Sequence, residues 1–274
     1  MEILVLASGS SGNSVLVRAG GVSLLVDVGV SAAQVRKRLE AFGGSPEEVG
    51  AVLLTHEHGD HIRGLEVFLR RHRDAPVWTT HGTWSALKVR SNGGGELLSG
   101  RTVRFGDLRV TPVGTSHDAA EPVAFVFDDG RHSAAYCTDT GQVTTLLGQR
   151  FQGCELLLIE ANHDTDMLRN GPYAWPLKQR IASSTGHLSN HQSAEAVSEL
   201  SSSLLKAVVG LHLSAENNCP IMACDALRAA VGDSVPVTAV NRIEMLRVSL
   251  NARGARLEHC DLPTTPLERS NVQR

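Results

Sequence analysis

The run Thr55-His56-Glu57-His58-Gly59-Asp60-His61 constrains this chain more than any other stretch. It follows directly on Val52-Leu53-Leu54, so imidazoles and a carboxylate stand at the end of a buried strand. Imidazole nitrogen and carboxylate oxygen are the donors that zinc and related divalent metals accept. His56 and His58 flank Glu57, so in extended backbone their side chains face one way and suit a single metal. Gly59 lets the chain turn and offers Asp60 and His61 to a second metal. The spacing differs from that of helical zinc proteases, whose two histidines sit one helical turn apart.

A chain of 274 residues, 42% hydrophobic and 20% charged, can bury a substantial core. A net charge of -3 supplies no overall cationic field, so any nucleic acid must be held locally, by metals and a few arginines. The five cysteines, Cys137, Cys154, Cys219, Cys224 and Cys260, form no Cys-x-x-Cys pair, which fits reduced thiols in a cytoplasm. Met1-Glu2-Ile3-Leu4-Val5-Leu6-Ala7 lacks the basic flank and long apolar region of a signal peptide and reads as a first strand. No stretch is apolar for long enough to span a membrane.

Short apolar runs predict strands at residues 3–6, 15–17, 23–26, 52–54, 77–79, 103–105, 108–113, 123–127, 134–138, 156–160 and 207–211. Helical spacing predicts helices at 31–42, 64–73, 193–203 and 219–231. This mixture predicts a layered α/β architecture with two sheets inside and helices outside. Residues 1–257 read as one domain, and apolar periodicity is lost from about 258, so 258–274 reads as a tail, mobile over 264–274.

Other residues able to bind metal stand where strands end. His117 follows the strand at 108–113, Asp139 follows Ala134-Ala135-Tyr136-Cys137, and His212 follows Ala207-Val208-Val209-Gly210-Leu211. His187 lies in a loop leading into a helix. Singly, each reads as a loop histidine or a capping aspartate. Their shared placement, together with the first cluster, points to one site at the strand ends.

His56-Glu57-His58-Gly59-Asp60-His61, His117, Asp139 and His212 together resemble the metallo-β-lactamase fold superfamily in its two-metal hydrolase form. Further stretches resemble its YycJ/WalJ group of bacterial phosphodiesterase-like nucleases. These are Ala7-Ser8-Gly9-Ser10-Ser11-Gly12-Asn13-Ser14, Asp27-Val28-Gly29, Glu160-Ala161-Asn162-His163-Asp164, Gly186-His187-Leu188-Ser189-Asn190 and Leu211-His212-Leu213-Ser214-Ala215-Glu216-Asn217-Asn218. The resemblance covers residues 1–245 or so. It implies a four-layer αββα sandwich with the site at one edge of the paired sheets. It further implies that His56, His58 and His117 hold one metal, that Asp60, His61 and His212 hold the other, and that Asp139 bridges them. The cofactors would be two divalent ions, zinc or manganese, which can share a hydroxide and neutralise a phosphoryl oxygen.

The activity implied is phosphodiester hydrolysis in the cytoplasm, on nucleic acid and specifically as a DNA exonuclease. The Gly/Ser-rich loop with Ser10, Ser11 and Asn13 can aim N–H groups and hydroxyls at an anion, or can be a plain hairpin turn. Bridging Asp139 suits oxygen chemistry. His187 fits a general acid for the leaving oxygen, with Asp60 the other residue placed in the catalytic machinery, although His187 and His212 both precede Leu-Ser and can exchange roles. Asp27 either orients a ligand of the first loop or caps the helix near Ser31. His163 and Lys178 are candidate substrate contacts, and Arg180 shares the stretch with Lys178. Nothing between Asp139 and His212 is long enough for the inserted clamp domain of some nuclease relatives, so the groove must come from the core and its loops. Two rival readings use the same residues: a hydrolase of small phosphodiesters or thioesters, and a metal-binding sensor without turnover.

Overall fold

Side-chain alternation explains why the first strand is apolar without interruption. Ile3 and Val5 face one side, Leu4 and Leu6 the other, and all four are buried, so the sheet is covered on both faces. The structure is a computed structural model and describes residues 1–89 and 91–261. In chain order the strands are β1 (Glu2–Ala7), β2 (Ser14–Ala19), β3 (Val22–Val26), β4 (Ala51–Leu53), β5 (Val77–Thr79), β6 (Gly94–Glu96), β7 (Val103–Phe105) and β8 (Leu108–Gly114). They continue with β9 (Val123–Asp128), β10 (Ser133–Cys137), β11 (Leu156–Glu160), β12 (Ala207–Leu211), β13 (Val237–Ala239), β14 (Glu244–Asn251) and β15 (Gly254–Asp261). One sheet has the order β15-β14-β1-β2-β3-β4-β5-β6, the other β13-β12-β11-β10-β9-β8-β7.

The helices are α1 (Ala32–Ala41), α2 (Gly59–Ile62), α3 (Leu65–Arg71), α4 (His81–Ala86), α5 (Thr145–Phe151), α6 (Thr165–Asn170), α7 (Trp175–Ile181), α8 (Asn190–Leu200) and α9 (Pro220–Val231). Three apolar clusters define four layers. Val5, Val26 and Leu53 meet Phe125, Tyr136 and Val209 between the sheets. Leu4, Leu25 and Val52 pack outward on Val35 and Leu39 of α1 and Phe68 of α3. Ala135, Leu157 and Val208 pack outward on Phe151 of α5, Val197 of α8 and Leu227 of α9. This is the αββα sandwich.

Local signals explain the element ends. Ser31 caps α1 in a reciprocal box with Gln34, and Gly43 takes the left-handed conformation (φ 74°) just past its end. The expected helix at 193–203 begins earlier, at Asn190, because Ser189 and Gln192 form a second capping box. The hairpin β14–β15 was not expected from apolar runs; the supposed boundary at 257 falls inside β15. β15 occupies a sheet edge, and Arg256 and Glu258 pair with each other there, so charged residues replace the continuous apolar run of a central strand. Residues 264–274, read as a tail, lie outside the described residues.

Strands β3 to β6 are mutually parallel, as are β10 to β13. The C-terminal ends of both runs meet at one edge of the sandwich, where loops rather than strands must carry the chain onward. Phe125 is fully buried between the sheets beside Phe127, their rings 5.9 Å apart. Phe125→Ala is expected to cost ~3–5 kcal/mol. A lower denaturation midpoint at unchanged slope would register this, and an unmoved midpoint would show that the sheets close over the gap.

Candidate metal centre

The ligand loop leaves β4 in extended backbone and turns at Gly59 into the single turn of α2, with His58 at its N-cap. The ligand atoms of His56, His58 and His117 lie within 4.8 Å of one another. The same holds for Asp60, His61, Asp139 and His212. Glu57, between the two leading histidines, points elsewhere and accepts the Ala120 N–H at 2.8 Å.

The histidine rings are oriented by their far nitrogens. His61 Nδ1 lies 2.8 Å from Asp27 Oδ2, and His117 Nδ1 3.0 Å from the Gly186 carbonyl. His212 Nδ1 and His187 Nδ1 each lie 2.8 Å from Glu160 Oε1. Oxygen acceptors there fix the proton on Nδ1 and leave Nε2 to face the site. The Thr55 hydroxyl donates to Asp27 Oδ2 at 2.9 Å and stands 3.0 Å from His56 Nδ1, which extends the same pattern to His56. Asp27 therefore orients His61. Its alternative as a helix cap is not used, because Ser31 caps α1.

A third group, Asp139, Glu160, His187 and His212, is equally close-set. Glu160 Oε2 already accepts the N–H groups of Thr140 and Leu188, both at 3.1 Å, and Oε1 meets two imidazoles. We read Glu160 as an anchor for histidines and the first two groups as the cation sites. A buried atom supports this: His56 Nε2 has no hydrogen-bond partner. Buried polar atoms left unpaired in this way suit a bound cation.

Backbone strain coincides with the site. Among the described residues, the non-glycine residues with positive φ are Asp27 (57°), Asp139 (58°) and His212 (55°). Asp27 directly follows β3 and His212 directly follows β12, while Asp139 comes two residues after β10. A left-handed residue here turns the side chain across the sheet edge at a cost of ~1–2 kcal/mol each. Gly29 is required for a different reason: an added Cβ would stand 1.7 Å from the Asp60 carbonyl oxygen.

Burial and neighbouring charge shift the histidines of these groups in opposite directions. Burial opposes charge on His212, but Asp139, Asp60 and Glu160 outweigh it and push its pKa up to about 10. Burial likewise opposes charge on His61, and Asp139 and Asp27 outweigh it. His56 goes the other way: burial, then the charge on His61, holds it well below the usual imidazole value and keeps it neutral.

A cavity of about 250 Å³ opens onto both ligand groups, with Ser10 and His187 also in its wall. Asp118, Tyr173, Leu177, Arg180 and Ile181 complete the wall. Larger cavities of about 320 and 380 Å³ border neither ligand group. The expected substrate contacts divide. Ser10 lines the cavity, whereas Ser11 is exposed outside it and its carbonyl accepts from Arg63. Asn13 is buried, with Nδ2 3.0 Å from His61 Nε2 and Oδ1 accepting from Gly9. His163 is 2% exposed and outside the lining; burial lowers its pKa to about 4. Lys178 also falls outside the lining and donates to the Arg169 carbonyl at 2.7 Å. The reason is helical phase: Leu177, Arg180 and Ile181 share one face of α7, and Lys178 is turned away from it.

Sequence reasoning assigned no role to Glu160. Its signal was an acid closing a five-residue strand whose other four residues are apolar, a position that demands a partner. Tyr173, and Asp118 bonded to Arg180 at 2.5 Å, were also missed.

Asp27→Asn removes the charge that orients His61 and is expected to weaken divalent-metal affinity ~10–100-fold, read by competition with a chelator. Unchanged affinity would show that His61 needs no such support. Metal uptake must also displace protons from His61 and His212, whose pKa values are raised. Affinity is therefore expected to rise with pH through the neutral range, with proton release measurable in weakly buffered solution; uptake without proton release would contradict the protonation state described.

The sequence model of the beta-lactamase superfamily domain matches residues 23–212. The chain is 40% identical over 221 residues to exodeoxyribonuclease WalJ of Streptococcus pneumoniae, covering 78% of this chain and 82% of that protein. It is 36% identical over 223 residues to exodeoxyribonuclease YycJ of Bacillus anthracis, covering 80% and 84%. The metallo-β-lactamase fold protein YhfI from Bacillus subtilis superposes with a TM-score of 0.68 at 18% identity, covering 94% of this chain and 98% of that one. The superfamily match and the histidine and aspartate groups indicate divalent-metal binding. The chain belongs to the beta-lactamase superfamily, within the metallo-β-lactamase-fold group of WalJ and YycJ.

Proposed function

We propose that this protein is a two-metal phosphodiesterase that removes nucleotides from the ends of DNA, with His187 as general acid. His56, His58 and His117 would hold one cation, and Asp60, His61 and His212 the other, with Asp139 reaching both. Zinc or manganese there would acidify water and neutralise charge on a phosphoryl oxygen. Asp27 and Glu160 keep the imidazoles aimed while charge changes at the reacting centre.

The observation that carries this reading is the position of His187. Its ring borders the same cavity as both ligand groups, and Glu160 holds its Nδ1 at 2.8 Å. Burial opposes its charged form, but Glu160 outweighs burial and raises the pKa, so the ring keeps a proton to give to a departing alkoxide. His212 differs in standing with Asp60 and His61, which favours it over His187 as the ligand. DNA as substrate is supported by the exodeoxyribonuclease names of WalJ and YycJ. A cytoplasmic location is supported by the buried unbridged thiols of Cys137 and Cys154. Among the described residues no helix is long and apolar enough to cross a membrane.

Apo-protein reloaded with zinc or manganese is expected to shorten end-labelled DNA stepwise. Asp60→Ala should abolish this with loss of metal. His187→Ala should keep its metal and lose ~10²–10⁴ in rate. Loss of metal from His187→Ala would exchange its role with that of His212. Hydrolysis of bis(p-nitrophenyl) phosphate with DNA and RNA left intact would favour a small-molecule phosphodiesterase, and inertness toward all of these a metal sensor.

A further inference from the structure

Helix α7 buries none of its residues, yet it carries Trp175 (65% exposed) and Leu177 (38% exposed). Trp175 lies outside the cavity, whereas Leu177 and Ile181 border it, so theirs is the apolar surface that a ligand there would cover. The helix is nonetheless firmly placed. Arg180 Nε donates to Asp118, the residue after ligand-group member His117, and the Asp118 N–H donates to the Thr185 carbonyl at 3.1 Å. The Ser116 hydroxyl adds a bond to the Ser184 carbonyl at 2.7 Å. The α7 segment is thus tied to the loop bearing His117, and its Leu177 and Ile181 line the same cavity as the ligand groups. Tyr173 stands at the start of that wall, followed by Leu177 and Ile181 at successive helical turns.

We propose that Tyr173, backed by Leu177, is the stacking platform for the base of the terminal nucleotide, so that the enzyme reads a single unpaired nucleotide at the DNA end. This rests on the nuclease reading above. The platform borders the same cavity as the metal-site residues, so a base lying on it belongs to the nucleotide whose phosphate is attacked. Arg180 in the same wall is ion-paired with Asp118, so it fixes the platform in place. A cavity of about 250 Å³ falls below the range of pockets that enclose drug-sized ligands, and it suits one end nucleotide better than a duplex. Every base has a π-face, so the platform is indifferent to sequence, as trimming from an end requires.

The test compares the metal-loaded full chain on single-stranded oligonucleotides ending in either a normal nucleotide or an abasic tetrahydrofuran analogue. Removing the base is expected to cost the parent protein about tenfold in kcat/KM, chiefly in KM. Tyr173→Ala should cost a similar factor on the base-bearing end, and the two losses should not multiply when combined. Tyr173→Trp, which keeps an aromatic face, should restore the base-bearing rate and guards against a folding defect in the alanine variant. Independent, multiplying losses would overturn the platform, as would a Tyr173→Ala enzyme that cuts base-bearing ends like its parent. If the parent cuts neither oligonucleotide with either metal, the nuclease reading itself falls and takes the platform with it; equal cutting of both ends removes the platform alone.

Discussion

Asp27, Asp139 and Glu160 are at most 3% exposed, and all three sit at the ends of strands inside the sandwich edge. An ionised carboxylate taken out of water costs several kcal/mol unless positive charge and hydrogen bonds meet it. Here imidazoles meet it: His61 on Asp27 and Asp139, His212 and His187 on Glu160. Without metal those rings keep protons, and with metal the cation takes over the same charge balance. The carboxylates thus make the site require cations, and the rest of the edge is arranged to keep them apart from solvent.

That arrangement depends on rigid strands and on local strain. The parallel runs β3–β6 and β10–β13 bring the ends of β3, β4, β10, β11 and β12 to one edge, and three of these place a non-glycine residue in left-handed backbone there. Such a conformation persists only where the surroundings over-determine it. The surroundings are visible: the Asp27 N–H bonds the Leu53 carbonyl, the His212 N–H bonds the Ser8 hydroxyl, and Gly29 lies against the Asp60 backbone with no room for a side chain. The Ala7–Ser14 stretch therefore serves largely as a brace beneath the metal loop. Only Ser10 of its candidate contacts reaches the cavity.

Much of the fold was legible because buried strands announce themselves as apolar runs and helices as capped periodic segments. The hairpin β14–β15 was not, since an edge strand carries charge on its open side and lacks the run. The short helices α2, α4, α5, α6 and α7 were missed as well; each is under two turns, too brief to develop a period. In the site, His56, His58, Asp60, His61, His117, Asp139 and His212 could be picked out because metal-binding residue types stood after apolar strands. Glu160 and Tyr173 could not: one read as the last residue of a strand, the other as part of a loop with no period. Lys178 was chosen over its neighbours on charge alone, which carries no information about helical phase.

By itself, the sequence determined the donor chemistry, since residue types and their order after strands are local properties. It also determined the layered α/β class, because patterning decides which faces must be buried. Tertiary structure decided how the donors divide into two groups and which nitrogen each imidazole presents. It decided, too, that Glu160 joins His187 to His212, and that α7 lines the same cavity as the donors. Those features depend on distances between segments up to 152 residues apart, as between Asp60 and His212. Only the packing of the two sheets sets such distances.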